Sequence, residues 1–366
     1  MAGGDGGSRE GVQWPEPIQR VQKLAASSLD ALPEKYVRPA SHRAPLNAPL
    51  ANLPVIDLSG LADPRTHSST VQQIGDACTE WGIFHAINHG IPLSLIHRVQ
   101  QVSKELFDLP YEEKEVYANK PGLPVGYGSH LGASNSGTMD WSDYFFHQLR
   151  PSTSYDADSW PAKPAAYRET VAEYGKQVYS LMRMLLLAVA ENLRVDFSSV
   201  EEAFGGKDGF RLGFRINYYP PCPQPALALG VSSHSDPGVL TALLQDEVGG
   251  LQVRKDGTWY SVGTTQDALV VNVADQLEIF SNGRYNSVEH QVFPNTNRVR
   301  MSWATFLGPA LDSVVSPAQQ LVDQQHPPLY EGSLYREYIS NVFKKGNNGK
   351  SYVRSHSLNK SASTMC

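Results

Sequence analysis

The amino-acid sequence predicts a mainly β fold with flanking helices: a β-sandwich or jelly roll behind a mixed α/β region. Two observations carry this. Between residues 210 and 310, short runs rich in Val, Leu, Phe and Tyr are broken every 8–12 residues by Gly, Pro, Asn or Asp, the pattern of an antiparallel sandwich. Strand and helix patterns do not alternate, which argues against a parallel sheet wound by crossover helices. The chain has 366 residues, 41% of them hydrophobic, enough to bury a large core without disulfides.

Taken in order, residues 1–14 are Gly-rich and polar and read as disordered. Residues 15–205 form a helical and mixed region that packs on the core. In it, Ile18, Val21, Leu24, Leu29 and Leu32 fit an amphipathic helix over 17–32 that Pro33 ends. Leu53–Leu58 reads as a short buried strand, Thr70–Trp81 as a helix broken by Gly82, and Gly82–Asn88 as a strand. The Asn88-His89-Gly90 stretch reads as a turn, because Asn and Gly tolerate left-handed backbone. Leu93–Asp108 is helical, and 121–137, with five glycines, is a loop. Trp141, Tyr144, Phe145 and Phe146 alternate like a strand, half core and half available to a pocket. A long helix spans Ala165–Leu193, with Val171, Tyr174, Val178, Leu181 and Leu185 on its buried face. Residues 206–345 hold the β core and a closing helix, Tyr335–Lys345, and 346–366 read as a flexible tail.

Composition narrows the function. Lys plus Arg is 31 and Asp plus Glu is 37, a net charge of −6. With no basic run longer than a pair, nucleic acid is excluded as a partner. No apolar run approaches the ~20 residues of a membrane span, and the N-terminus lacks a secretory core. The three cysteines, Cys78, Cys222 and Cys366, are far apart, so neither a disulfide scaffold nor a thiolate zinc site is expected. A cytoplasmic protein, or one shared between cytoplasm and nucleus, monomeric or weakly oligomeric, is the expectation.

The chemistry concentrates in Ser233-His234-Ser235-Asp236. Positions i and i+2 of a strand point the same way, so His234 and Asp236 can reach one ion. His290, 54 residues beyond Asp236 in another strand pattern, is the candidate third ligand. Two imidazoles and a carboxylate on one face leave open positions, a set that suits Fe(II) binding a co-substrate and oxygen. A His-x-Asp pair by itself is commonplace, and zinc also accepts two His and one carboxylate. Arg300 and Ser302, again i and i+2 on a strand, shift the balance. They place a guanidinium fork and a hydroxyl beside the triad, which a chelating keto acid needs and a zinc hydrolase does not. An ordinary strand salt bridge accounts for Arg300 taken alone; the combination is what is specific.

His234-Ser-Asp236, His290 and Arg300-Met-Ser302 together resemble the signature of the plant 2-oxoglutarate/Fe(II)-dependent dioxygenases. Leu53-Pro-Val-Ile-Asp57, Trp81-Gly-Ile-Phe84, Asn88-His-Gly90 and Asn217-Tyr-Tyr-Pro-Pro-Cys-Pro223 resemble the same family, in its order. The resemblance implies a double-stranded β-helix core with an N-terminal α/β region packed on it. It implies Fe(II) on His234, Asp236 and His290. It places the distal carboxylate of 2-oxoglutarate on Arg300 and Ser302, with Asn217 and Tyr219 assisting. O2 would be the second co-substrate, ascorbate would keep the iron reduced, and the products would be succinate, CO2 and a hydroxylated metabolite.

Within that family, Val125-Gly-Tyr-Gly-Ser129-His-Leu-Gly132 and Met139-Asp-Trp-Ser-Asp-Tyr144 resemble the jasmonate-induced oxygenases, as does Leu227-Ala-Leu-Gly230. These imply jasmonic acid as substrate and its 12-hydroxylation, which inactivates the hormone. The flavonol synthase and anthocyanidin synthase branch shares some of these stretches, so a flavonoid remains an alternative, as does a non-catalytic jelly-roll binding protein. A jasmonate pocket needs a cation and apolar walls. Arg215 shares strand parity with Asn217 and Tyr219 and is the expected cation, with Arg211 or Arg336 as a second. Phe306, Phe343 and Tyr144 are the expected walls.

Overall fold

In a computed structural model, residues 19–27, 29–120, 124–129, 137–151 and 159–358 are described. The chain opens with α1 (Val21–Ala25), β1 (Val55–Asp57), α2 (His67–Glu80), β2 (Ile83–Ile87), α3 (Leu93–Phe107) and α4 (Tyr111–Glu115). Then come β3 (Gly126–Gly128), β4 (Asp143–Arg150), α5 (Tyr167–Leu193) and α6 (Phe197–Ala203). The core follows with β5 (Arg211–Tyr219), β6 (Val231–His234), β7 (Leu240–Gln245), β8 (Leu251–Lys255), β9 (Thr258–Ser261) and β10 (Leu269–Val273). It closes with α7 (Asp275–Phe280), β11 (Glu289–Val292), β12 (Arg300–Gly308), the short pair β13 (Val314–Val315) and β14 (Ser333–Leu334), α8 (Tyr335–Lys345) and α9 (Ser351–Ser355).

Among the described residues the strands form an eight-stranded major sheet, ordered β1-β2-β10-β7-β12-β5-β4-β3, and a four-stranded minor sheet, ordered β6-β11-β8-β9. Both are antiparallel apart from the β1–β2 pair. This is the expected jelly roll, extended on one side by strands from the N-terminal region. The central strands of the major sheet are buried on both faces. Leu212, Phe214, Ile216, Trp303 and Leu307 join the helices in one large core. The opposite parity faces the minor sheet, where Tyr219, Leu243 and Ala304 meet Val231, Leu251 and Val292. The register Arg300↔Tyr219, Ser302↔Asn217, Ala304↔Arg215 sets the polar residues of β5 and β12 side by side on that inner face.

Helix α5 is the buttress behind the major sheet. Its apolar residues recur at helical spacing and are buried from Val171 through Leu193, each large aliphatic contributing about 1.5–3 kcal/mol. Tyr174 meets Phe214 of β5 with ring centroids 5.5 Å apart. The helix stops at Arg194, which takes left-handed backbone (φ 58°) while its N–H closes on the Ala190 and Glu191 carbonyls. Among the described residues no helix is long and apolar enough to cross a membrane.

Four expectations change. The helix over 17–32 shrinks to Val21–Ala25, part of the expected span lying outside the described residues. Its start is fixed by a distant group: the buried Asp143 carboxylate accepts from the N–H groups of Val21 and Gln22 at 2.9 and 2.8 Å. The 121–137 loop contains strand β3, where Gly126 lies too close to the Tyr117 carbonyl to admit a Cβ. Residues 346–358 are not a loose tail: they carry α9 and bridge to β6 through Gly349. Finally, Trp141 precedes β4 instead of lying in it, buried against Tyr36. The turn at 88–90 is as read, with φ of 50° at Asn88 and 81° at Gly90. Cys222 is packed and buried, its thiol pushed up to about 11 by desolvation. The expected disorder of 1–14 lies outside the described residues.

Candidate metal centre and co-substrate pocket

His234 ends β6, and Asp236 follows just beyond the strand, keeping its parity. His290 stands directly opposite His234 in the β6–β11 register. The two imidazole centroids are 4.2 Å apart. Nε2 of His234 and of His290 lie 3.7 and 3.8 Å from the same Asp236 oxygen, Oδ1. One ligand atom from each of the three residues falls within 4.8 Å of the others.

The hydrogen bonds decide which atoms are free. Nδ1 of His234 bonds the Ser232 carbonyl at 2.8 Å and Nδ1 of His290 bonds the Val288 carbonyl at 3.1 Å. A carbonyl only accepts, so each Nδ1 carries the proton and each Nε2 presents its lone pair to the shared centre. Burial first, then neighbouring His290, push the His234 imidazole well below its ordinary value, which keeps it neutral. On the carboxylate, Asn272 Nδ2 donates to Oδ2 at 3.5 Å and leaves Oδ1 toward the imidazoles. Two imidazoles with their Nε2 atoms free and one carboxylate aimed at one point fit a divalent first-row metal with open positions.

The wall next to this centre holds Arg300, only 1% exposed. Its Nη1 donates to Ser302 Oγ and its Nη2 to Gln245 Oε1, both at 3.3 Å, while Tyr219 lies under the guanidinium at 4.8 Å. Its Nε has no partner, and among the described residues no carboxylate pairs with it. A buried guanidinium with no carboxylate in direct contact leaves its fork available to an anionic ligand. Ser302 Oγ also accepts from Asn217 Nδ2 at 3.2 Å, and Asn217 Oδ1 is left unpaired.

Arg215 faces the same cavity, as its parity requires. Among the described residues neither a hydrogen bond nor an ion pair holds its guanidinium, whose Nε is buried and unpaired. Burial pulls it below its ordinary value, with Tyr144 and Tyr219 acting against that, and an arginine keeps its charge in such a setting. Phe306, Leu243, Ala304 and Val292 supply apolar wall.

Three placements correct the sequence reading. Tyr144 does not line the cavity; it lies one layer behind, its ring under the Arg215 guanidinium at 4.1 Å. Phe343 is half-buried on α8 and is not among the residues that line the cavity. Neither Arg211 nor Arg336 reaches it, since Arg211 donates to Gln148 and Arg336 pairs with exposed Asp312. Thr241 and Asn272 were missed. They are opposite one another on β7 and β10, are buried, and each keeps an unpaired oxygen at the cavity. The available signal was a lone polar residue inside each of two otherwise apolar strands, Leu-Thr-Ala-Leu-Leu and Leu-Val-Val-Asn-Val.

The jelly roll, the His-Asp-His centre and the buried Arg–Ser pair define a class, non-haem iron oxygenases that use a keto acid. The comparisons agree. Residues 211–309 match the 2OG-Fe(II) oxygenase superfamily, and residues 53–163 match the family described as non-haem dioxygenase in morphine synthesis N-terminal. The chain is 43% identical to jasmonate-induced oxygenase 2 of Arabidopsis thaliana, over 94% of both chains. It is 40% identical to a flavonol synthase/flavanone 3-hydroxylase of Petunia hybrida, over 88% of this chain and 93% of that one. A crystal structure of JOX2 in complex with 2OG, Fe and JA superposes with a TM-score of 0.88 at 42% identity, covering 94% of this chain and 99% of that one. The chain belongs to the 2-oxoglutarate/Fe(II)-dependent oxygenases: it is a dioxygenase that uses iron and 2-oxoglutarate.

Proposed function

We propose that the protein hydroxylates jasmonic acid, with its own residues in the following roles. His234, Asp236 and His290 hold the iron. Arg300 grips the distal carboxylate of 2-oxoglutarate, Ser302 and Asn217 complete that anchor, and Tyr219 supports the guanidinium face. When bound, iron and 2-oxoglutarate activate O2, and the keto acid leaves as succinate and CO2 while one oxygen atom enters a substrate C–H bond. The chain's work is to orient and to exclude water. The inner faces of the two sheets enclose the cavity beside the triad and would shield a bound metal from bulk water, and no acid–base residue is required.

The observation that carries the substrate assignment is the unpaired guanidinium of Arg215 in an otherwise largely apolar wall. Tyr144 behind it and the strand register beneath it fix the fork in place. A small monocarboxylate with an aliphatic body satisfies that wall. The similarity to jasmonate-induced oxygenase 2 and to the JOX2 complex with JA supports the same choice.

A hydrogen bond to a charged partner contributes ~1.5–3 kcal/mol. At ~1.4 kcal/mol per tenfold, Arg215→Ala therefore weakens use of jasmonic acid by about 10–100-fold. Methyl jasmonate, which lacks the charge, is a poor substrate for the unaltered enzyme. Turnover assays with iron, ascorbate and 2-oxoglutarate check both statements. Equal use of acid and methyl ester means the carboxylate is not read. In that case a flavonoid is the better reading, which the Petunia relative favours, and flavanones and dihydroflavonols belong in the same panel.

A further inference from the structure

The minor sheet carries His234 and His290, with Asp236 just beyond the end of β6, yet β6, which ends in His234, is its edge strand. Within the sheet only the β11 side of β6 is paired. The segment after α8 covers the other side. Gly349 N–H donates to the Ser233 carbonyl at 2.9 Å, and its carbonyl accepts from Ser235 N–H at 3.3 Å. Asn347 Nδ2 donates at 3.4 Å to the Ser232 carbonyl, the same oxygen that accepts the His234 Nδ1 proton. The segment thus bonds the backbone immediately before and after His234.

Its anchor lies one residue further on. Lys350 Nζ is 2.6 Å from Glu278 Oε2, both side chains being largely buried. That same Glu278 oxygen accepts from Ser287 N–H at 2.5 Å, three residues before His290. Glu278 is on α7, whose first residue, Asp275, donates its N–H to the Asp236 carbonyl at 2.9 Å. Gly349 itself is at φ +51°, and a Cβ there comes within 3.0 Å of the carboxylate of Glu289, the neighbour of His290. The backbone around each of the three ligands is therefore reached from residues 347–350 by one or two interactions.

We infer that residues 347–350 are a positioning strap for the metal centre. Pairing along the outer edge of β6 holds His234 and Asp236 at metal-binding separation, and Lys350 pins the strap. The inference rests on the triad reading above. An unpaired edge strand opens locally at low cost, whereas ligands must stay within about 0.5 Å of productive geometry. Breaking the pin also leaves the Glu278 charge buried without its partner.

The test is Co(II) titration of the full chain, read by its d–d absorption and by amide hydrogen exchange. Changes behind metal ligands typically cost 10–100-fold in affinity, and Lys350→Ala and Gly349→Val each weaken Co(II) by that factor and alter the spectrum. Lys350→Arg returns affinity to near the native value. The metal-free Lys350→Ala protein also melts lower, because Glu278 is left buried without its partner, so Co(II) affinity is read well below that transition. Coupling between sites is reciprocal, so Co(II) slows exchange of the Gly349 and Ser235 amides in the unaltered protein, a readout that needs no variant to fold. Native Co(II) affinity and spectrum in Lys350→Ala overturn the inference. So does exchange at Gly349 that is indifferent to metal. If the unaltered protein binds Co(II) no better than His234→Ala, the triad reading fails, and the inference with it.

Discussion

The two sheets of the jelly roll divide the work unequally. The major sheet supplies Arg300, Ser302, Asn217, Tyr219 and Arg215 from strands in its middle, β12 and β5, which have neighbours on both sides and α5 packed behind. The minor sheet supplies His234 and His290 from a four-stranded layer, and neither of its edges is left to itself. The β9 edge is met by residues 49–51, where Ala51 N–H donates to the Ser261 carbonyl and Ser261 N–H to the Pro49 carbonyl, each at 2.8 Å. The β6 edge is met by residues 347–349. Anion recognition thus rests on internal packing, and metal recognition on a thin layer secured from outside the barrel. Stability and metal occupancy should therefore separate when each sheet is perturbed.

The sharpest break is in the minor sheet. His234→Ala, Asp236→Ala or His290→Ala should abolish turnover and iron retention while leaving melting of the metal-free protein nearly unchanged. Iron content measured beside the thermal transition checks this, and near-native activity with native iron in any of the three removes that residue from the centre. The converse is Phe214→Ala on the helix-facing side of β5. Removing a buried Phe from a packed core costs about 3–5 kcal/mol, so the melting temperature falls sharply. The fraction that stays folded should still bind 2-oxoglutarate with native affinity.

A finer cut stays within the major sheet. In Arg300→Lys an ammonium replaces the planar fork. The 2-oxoglutarate requirement should rise by about 10–100-fold, at ~1.4 kcal/mol per tenfold, while substrate affinity at saturating 2-oxoglutarate changes less. An unaltered 2-oxoglutarate dependence removes Arg300 from the anchor. The last break is electrostatic. His147 on β4 is buried against the Tyr167 hydroxyl at 2.6 Å, and burial pushes its imidazole down to about 3. The unfolded chain takes up a proton near pH 6.5 that the folded chain refuses. Its contribution is therefore complete above pH 6.5 and is lost as pH falls from there toward 3, by at most about 1.4 kcal/mol per unit. Chemical denaturation of the unaltered protein and of His147→Gln between pH 7 and 4 should show the shallower pH slope in the variant.

Much of this contrast was legible in the sequence, and unevenly so. The inner-face residues of β5 and β12 follow from parity, because a strand fixes side-chain direction every two residues, and Arg215, Asn217 and Tyr219 fell where parity put them. The triad followed from two short motifs. What could not be read were contacts set by partners far away in the chain. Phe343 has no periodic signal that says what α8 faces. Tyr144 carries the right parity for the pocket, but Arg215 reaches over it. The short α1 is set by Asp143, more than a hundred residues on. The strap looked like a tail because Gly346-Asn-Asn-Gly349 has turn composition, and nothing local reveals that a distant strand edge is waiting for its backbone.

The bridge between Gly349 and β6 also orders events during synthesis. A chain emerging N-terminus first exposes His234, then His290, and only 59 residues later Gly349. Until that glycine arrives, the strand bearing His234 and leading into Asp236 has an open edge, a template on which a second chain can pair. The nascent chain passes through an interval in which all three ligands exist without the backbone that steadies two of them. Translation halted after β12 and before Gly349 yields a product with the oxygenase signature intact and its metal-bearing edge available for aggregation.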